Sequence, residues 1–173
     1  SQLSDGFRSD LGFITTNNQK KYTLWHSYNK YPNKDFIKRY RISLRQDFEY
    51  SYSHDISRSN FQTFLGFLTI LNTDVLYNYE YNFVKSHLEF QFRDFINHWL
   101  RVDTQPADFL NINIFYKWGK DIAYRLDTPM LGMVNDIRLS SEFSINENFR
   151  IRPNINYSSI KKLDSNEYYF KGY

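Results

Sequence analysis

Residues 39–53 alternate in side-chain character with a period of two, over a length that few folds accommodate. Every second position from Tyr40 reads Tyr40, Ile42, Leu44, Gln46, Phe48, Tyr50, Tyr52. The intervening set reads Arg39, Arg41, Ser43, Arg45, Asp47, Glu49, Ser51, Ser53. Successive side chains of a β-strand point to opposite faces, so one strand here would separate an apolar surface from a wet one. Strands of soluble proteins usually have about 5–6 residues, and a strand that crosses a bilayer needs roughly 9–11. This segment exceeds both, and it is expected to be a transmembrane β-barrel strand with lipid on one side and a polar lumen on the other. A long edge strand of a soluble sandwich is the competing reading.

Related alternation recurs along the chain, over residues 6–15, 22–29, 75–83, 88–102, 110–118, 137–145 and 149–157. An aromatic stretch at 167–173 looks like the start of one more strand. Residues 61–71 are apolar at both parities, which leaves a helix open there. The links are of hairpin size, and they fall into two alternating sets. Turns near Pro32, Thr73, Pro106 and Glu147 form one set. Residues 17–20, 55–60, 84–86, 119–132 and 161–166 form the other, on average longer, set. Nine or ten strands without helical crossovers make an all-β, antiparallel up-and-down meander, part of a transmembrane outer-membrane β-barrel. Short turns of such barrels lie in the periplasm and long loops outside, so the second set is expected outside.

Composition agrees with a barrel wall. Aromatic residues make up 20 % of the chain while its mean hydropathy is only −0.65, as expected where half of each strand faces water. The net charge of +3, from 22 basic and 19 acidic residues, is too balanced to imply nucleic acid. There is no cysteine, hence no disulfide framework and no thiolate metal site. No apolar run approaches the roughly 18 residues of a transmembrane helix, and no export signal opens the chain. A barrel must be exported, so residues 1–173 are expected to be an internal fragment of one barrel domain.

The segment Gly6-Phe7-Arg8-Ser9-Asp10-Leu11-Gly12-Phe13-Ile14 resembles a recurrent motif of one family. These are Gram-negative outer-membrane proteins with an N-terminal family 9-type carbohydrate-binding module and a C-terminal barrel, classed as domain of unknown function 5916. A second stretch is similar to that family's pattern of a strand, a Gly-Asp-rich loop and two more strands. It runs through Phe115, Gly119, Asp121, Gly132 and Ile137-Arg138-Leu139, with Lys120 standing between the Gly and the Asp. The resemblance implies an outer-membrane location, and glycan partners bound through a module that would precede Ser1. Members are often labelled membrane-associated hydrolases, a label that no residue pattern in this chain supports.

No nucleophile elbow, phosphate loop, metalloprotease helix or paired-cysteine motif occurs, so no catalytic residue, metal or cofactor is assigned. His26, His54, His87 and His98 do not fall at ligand spacing, and His98 interrupts an apolar face as a packed or interfacial side chain would. Asp47 and Glu49 share a strand face, but Arg39, Arg41 and Arg45 beside them would keep both ionised. Lumen-facing positions are expected at Arg39, Arg41, Arg45, Asp47, Glu49, Glu80, Arg138, Glu142, Arg150 and Arg152, with Arg93 and Lys117 extending the charged ladder. Lipid-facing positions are expected at Tyr40, Ile42, Leu44, Phe48, Tyr50, Ile112, Ile114, Leu139, Ile151 and Ile155. By this scheme Leu44→Arg is costly and Ser43→Arg is mild. Strand-end tyrosines would form an aromatic girdle at the lipid interface. The alternative function is a soluble all-β binding or hydrolytic domain, whose apolar faces would be buried between two sheets.

Overall fold

The computed structural model describes residues 19–32, 36–51, 56–87, 89–145 and 149–172. The Gly6–Ile14 motif, the strand expected over 6–15 and the turn at Asn146, Glu147 and Asn148 lie outside these residues. The described residues form ten strands and no helix. They are β1 (Gln19–Lys30), β2 (Ile37–Ser51), β3 (Ile56–Thr69), β4 (Thr73–His87), β5 (Phe90–Ala107), β6 (Leu110–Ala123), β7 (Met130–Ser144), β8 (Arg150–Ile151), β9 (Asn154–Lys162) and β10 (Tyr168–Gly172). All belong to one antiparallel sheet in the order β1-β2-β3-β4-β5-β6-β7-β9-β10, with β8 also on β7. The fold is therefore the expected up-and-down meander. The sheet is not closed, and β1 and β10 are its two ends among the described residues.

Strands β2 to β7 have 14 to 18 residues. Several elements are longer than their sequence signals. Residues 61–71 belong largely to β3, where every residue from Phe61 to Leu68 pairs with β2 and β4, so the apolar character on both faces does not mark a helix. The stretch 84–86 is not a link but part of β4, paired with Arg93, Phe92 and Gln91. β5 runs through Pro106, and the turn shrinks to Asp108 and Phe109. A proline fits there because the β5–β6 register shifts between Thr104 and Ala107, where no ladder N–H is required.

The connection expected over 119–132 shortens to residues 124–129, since Asp121, Ile122 and Ala123 pair with Gly132, Leu131 and Met130. Gly119 is a kink inside a strand and not its end, with φ at 107°. Conversely, the single strand expected over 149–157 is split at Arg152 and Pro153 into β8 and β9, both held on β7. The Ser141 N–H donates to the Pro153 carbonyl at 3.1 Å across this break. Among the connections described throughout, 70–72 and 108–109 of the first set are shorter than 124–129 and 163–167 of the second.

The burial pattern is inverted relative to a soluble domain. Ser43, Asp47, Asn60, Asn78, Asn82, Asn97 and Asp121 are buried, whereas Tyr28, Tyr40, Ile42, Leu44, Leu65, Phe67, Ile114, Ile137 and Ile155 are exposed. Cross-strand partners share a face. The register thus links the buried set across one face, here called inner, and the exposed set across the other, called outer. Among the described residues the buried apolar ones are few: Leu76, Phe95, Ile122, Ala123 and Val134.

Candidate functional site on the polar inner face

The inner face is built by simple alternation, with one exception. β3 and β4 slip by one residue between Ser59 and Asn60, and across from this on β5 Asp94 has a φ of 52°. The two irregularities turn the alternation over, so that Lys85, which shares its parity with the outer-face Tyr79 and Tyr81, reaches the inner face. Its ammonium lies 3.6 Å from Asp121, which also pairs with Lys117. The Asp121 carboxylate accepts the Ile122 N–H at 2.8 Å as well. One buried carboxylate therefore joins β4 to β6 past the intervening β5, a connection that strict parity conceals.

The expected charged positions occupy this face, and most are paired. Arg45 lies 2.8 Å from Asp47, and Arg39 lies 3.8 Å from Asp74. Glu80 accepts from Asn60 at 2.8 Å and faces Arg58 at 3.6 Å. Arg138 grips Asp136 through two nitrogens at 3.2 and 2.5 Å. Glu142 takes both Arg150 at 3.3 Å and Arg152 at 2.8 Å. Arg41 and Glu49 share the parity of this row, and Arg41 has no ionic partner among the described residues. Several pairs, such as Arg45 with Asp47, join residues two apart on one strand, because period two places both on one face. A further such pair, Arg101 with Asp103 at 2.7 Å, was not singled out in the sequence. Arg93 does not join this ladder. It lies past the irregularity and binds Gln91 of its own strand at 3.0 and 2.6 Å.

The residues expected opposite them, Tyr40, Ile42, Leu44, Phe48, Tyr50, Ile112, Ile114, Leu139, Ile151 and Ile155, lie together on the outer face. Tyr40, Ile42, Leu44, Ile114, Ile151 and Ile155 are exposed and the others half-buried. The outer face also carries a cluster of rings. His98 stacks on Trp118 with centroids 5.2 Å apart, and Trp118 on Tyr116 at 4.9 Å. The Tyr77 hydroxyl lies 2.7 Å from His98 Nδ1, and the Tyr116 hydroxyl donates to Asn135 at 3.1 Å. His98 is thus a packed side chain. Among the described residues no group of His, Asp and Glu is placed to hold a metal ion.

Two features of the inner face were not resolved from the sequence. One is a row of rings that crosses the strands. Trp25 lies 5.3 Å from Phe64, Phe64 6.0 Å from Trp99, and Trp99 6.1 Å from Phe115. The Arg138 guanidinium ends the row, 5.2 Å over the Phe115 ring. Small buried residues alternate with the rings in the register, Ser43 opposite Phe64 on one side and Asn78 on the other. Alternation within one strand does not show such a row, because it appears only once the register is known. The same packing changes the expected behaviour of Ser43. It is 1 % exposed and 2.9 Å from the Ser27 hydroxyl. An arginine there would be overpacked, so Ser43→Arg is not mild.

The second feature is a polar trough of about 490 Å3 beside the row, lined among others by Asp103, Asn111, Asn113, Ser140, Glu142 and Asn154. Asn113, two residues from Phe115 on the same face, donates to Asp103, which also binds Arg101. The lining thus presents hydrogen-bond donors and acceptors side by side. No protein-family model, curated protein or solved structure matches this chain.

Proposed function

We propose that this chain is part of the wall of an outer-membrane β-barrel of a Gram-negative bacterium, its outer face in lipid and its inner face lining a water-filled lumen. The observation that carries the reading is the inverted burial. A soluble sandwich buries its apolar faces between two sheets, whereas here a single sheet leaves Ile42, Leu44, Ile114 and Ile155 exposed and holds amides and carboxylates inside. Strands of 14 to 18 residues are long enough to cross a bilayer when tilted. The His98–Trp118–Tyr116 cluster has the amphipathic character of an interfacial aromatic belt. The inner-face ion pairs suit a wall that keeps its charge compensated.

Residues 1–173 contain no cysteine, so once any cysteine elsewhere is replaced an introduced thiol reports its own position. Ile155 and Asn154 are neighbours, both exposed, on opposite faces. In phospholipid vesicles, Asn154→Cys is expected to react with a water-soluble maleimide and Ile155→Cys to stay unlabelled until detergent is added. Equal labelling of the two before detergent would reject the membrane wall.

A further inference from the structure

We propose that the inner face binds a neutral oligosaccharide, its sugar rings stacked along Trp25, Phe64, Trp99 and Phe115 and its hydroxyls taken by the adjacent trough. The inference rests on the reading of this face as a water-filled lumen.

Three observations converge on this ligand chemistry. Four rings succeed one another at 5.3, 6.0 and 6.1 Å across the face, and Trp25 is half exposed. Large apolar rings on the wet side of a wall form a surface that no other apolar element covers among the described residues, and the flat C–H face of a pyranose suits it. Next, the charges around the row are compensated. Arg101 is held by Asp103 and Arg138 by Asp136, and the side chains of these arginines are 45 % and 59 % exposed. A tethered guanidinium keeps outward N–H donors beside an anchored carboxylate acceptor. Hydroxyl groups, which donate and accept at once, match that arrangement better than an anion does. Finally, the trough that begins two residues beyond Phe115 continues the pattern with Asn113, Ser140 and Asn154. Stacking surface and hydroxyl-binding groups thus follow one another along β6, and Arg138 ends the row over Phe115.

The three tryptophans make the test selective, since Trp25 and Trp99 lie on the inner face and Trp118 on the outer. In vesicle-reconstituted protein with any tryptophan outside residues 1–173 replaced by phenylalanine, the background for both variants here, Trp118→Phe leaves fluorescence that reports the inner row alone. Cellotetraose or maltotetraose is expected to change it saturably. Phe115→Leu should weaken that binding by about tenfold, the loss of roughly one aromatic contact. Asn113→Ala, at the trough, is expected to weaken it without altering the unliganded spectrum. No saturable change with either sugar would overturn the inference, as would binding of tetragalacturonate in preference to both, which would mark an anion site. In the Trp25→Phe, Trp99→Phe double variant, a brominated phospholipid should quench Trp118. Quenching without a sugar response in the first protein rejects the sugar track alone, and absence of quenching rejects the barrel itself and the track with it.

Discussion

At Gly119 the backbone takes a φ of 107°, and a Cβ there would sit 2.7 Å from the Ile96 carbonyl oxygen and 2.9 Å from the Asn97 Cα. Neither is the end of a flexible side chain, so neither can swing aside. Gly119→Ala is expected to cost at least the roughly 1–3 kcal/mol of a strained non-glycine conformation, read as a lower urea midpoint of the refolded protein. Side-chain chemistry divides just as sharply between the faces. Ile155→Arg should cost about 2–4 kcal/mol in a bilayer if it lies near the midplane. Asn154→Arg, one residue away and close to Glu142, should change stability by about 0.5 kcal/mol or less. Urea titrations in vesicles that gave equal costs would contradict the assignment of faces.

Pairs that tie elements together differ in worth according to how far they are removed from water. Asp121 is 7 % exposed and compensates Lys85 from β4 and Lys117 from β6. Asp121→Asn leaves two poorly hydrated ammonium groups without their counter-charge, and a loss of about 3–5 kcal/mol is expected. Glu142 also serves two cations, Arg150 and Arg152, but these are more than half exposed. Glu142→Gln should therefore cost about 1 kcal/mol or less, as surface pairs do. Chemical denaturation of the two variants side by side checks the contrast.

The same two sites mark what sequence alone can tell. The alternation around Glu142 and in β2 is local, so faces, strand type and meander order are legible from period and turn residues. Lys85 is different. Its face depends on a register slip at Asn60 and a left-handed residue at Asp94, neither of which has a glycine to announce it. The ring row is hidden for a related reason, since Trp25, Phe64, Trp99 and Phe115 come from β1, β3, β5 and β6 and meet only through pairing. Strand ends misled in both directions. Gly119 and Pro106 resemble terminators and lie within strands, whereas Pro153 breaks one that its neighbours' alternation would continue.

For the molecule as a whole, the apolar outer face sets the conditions under which it can exist. Broad exposed apolar surface favours association. Residues 1–173 expressed alone are expected to aggregate in buffer and to become monodisperse only in detergent or lipid, as size-exclusion chromatography would show. A cooperatively melting soluble monomer would contradict this.

The order of the strands also constrains how such a sheet can close. Since β8 and β9 both lie antiparallel on β7, they count as one stave, and direction alternates at every step from β1 to β10. β1 and β10 therefore run the same way. Joined directly, they would make a parallel seam, whereas bacterial single-chain barrels are antiparallel throughout and even in strand number. An antiparallel closure thus requires an odd number of additional staves between these two edges, whichever chain supplies them. Strand parity, a property fixed by counting alone, decides which partners can complete the wall.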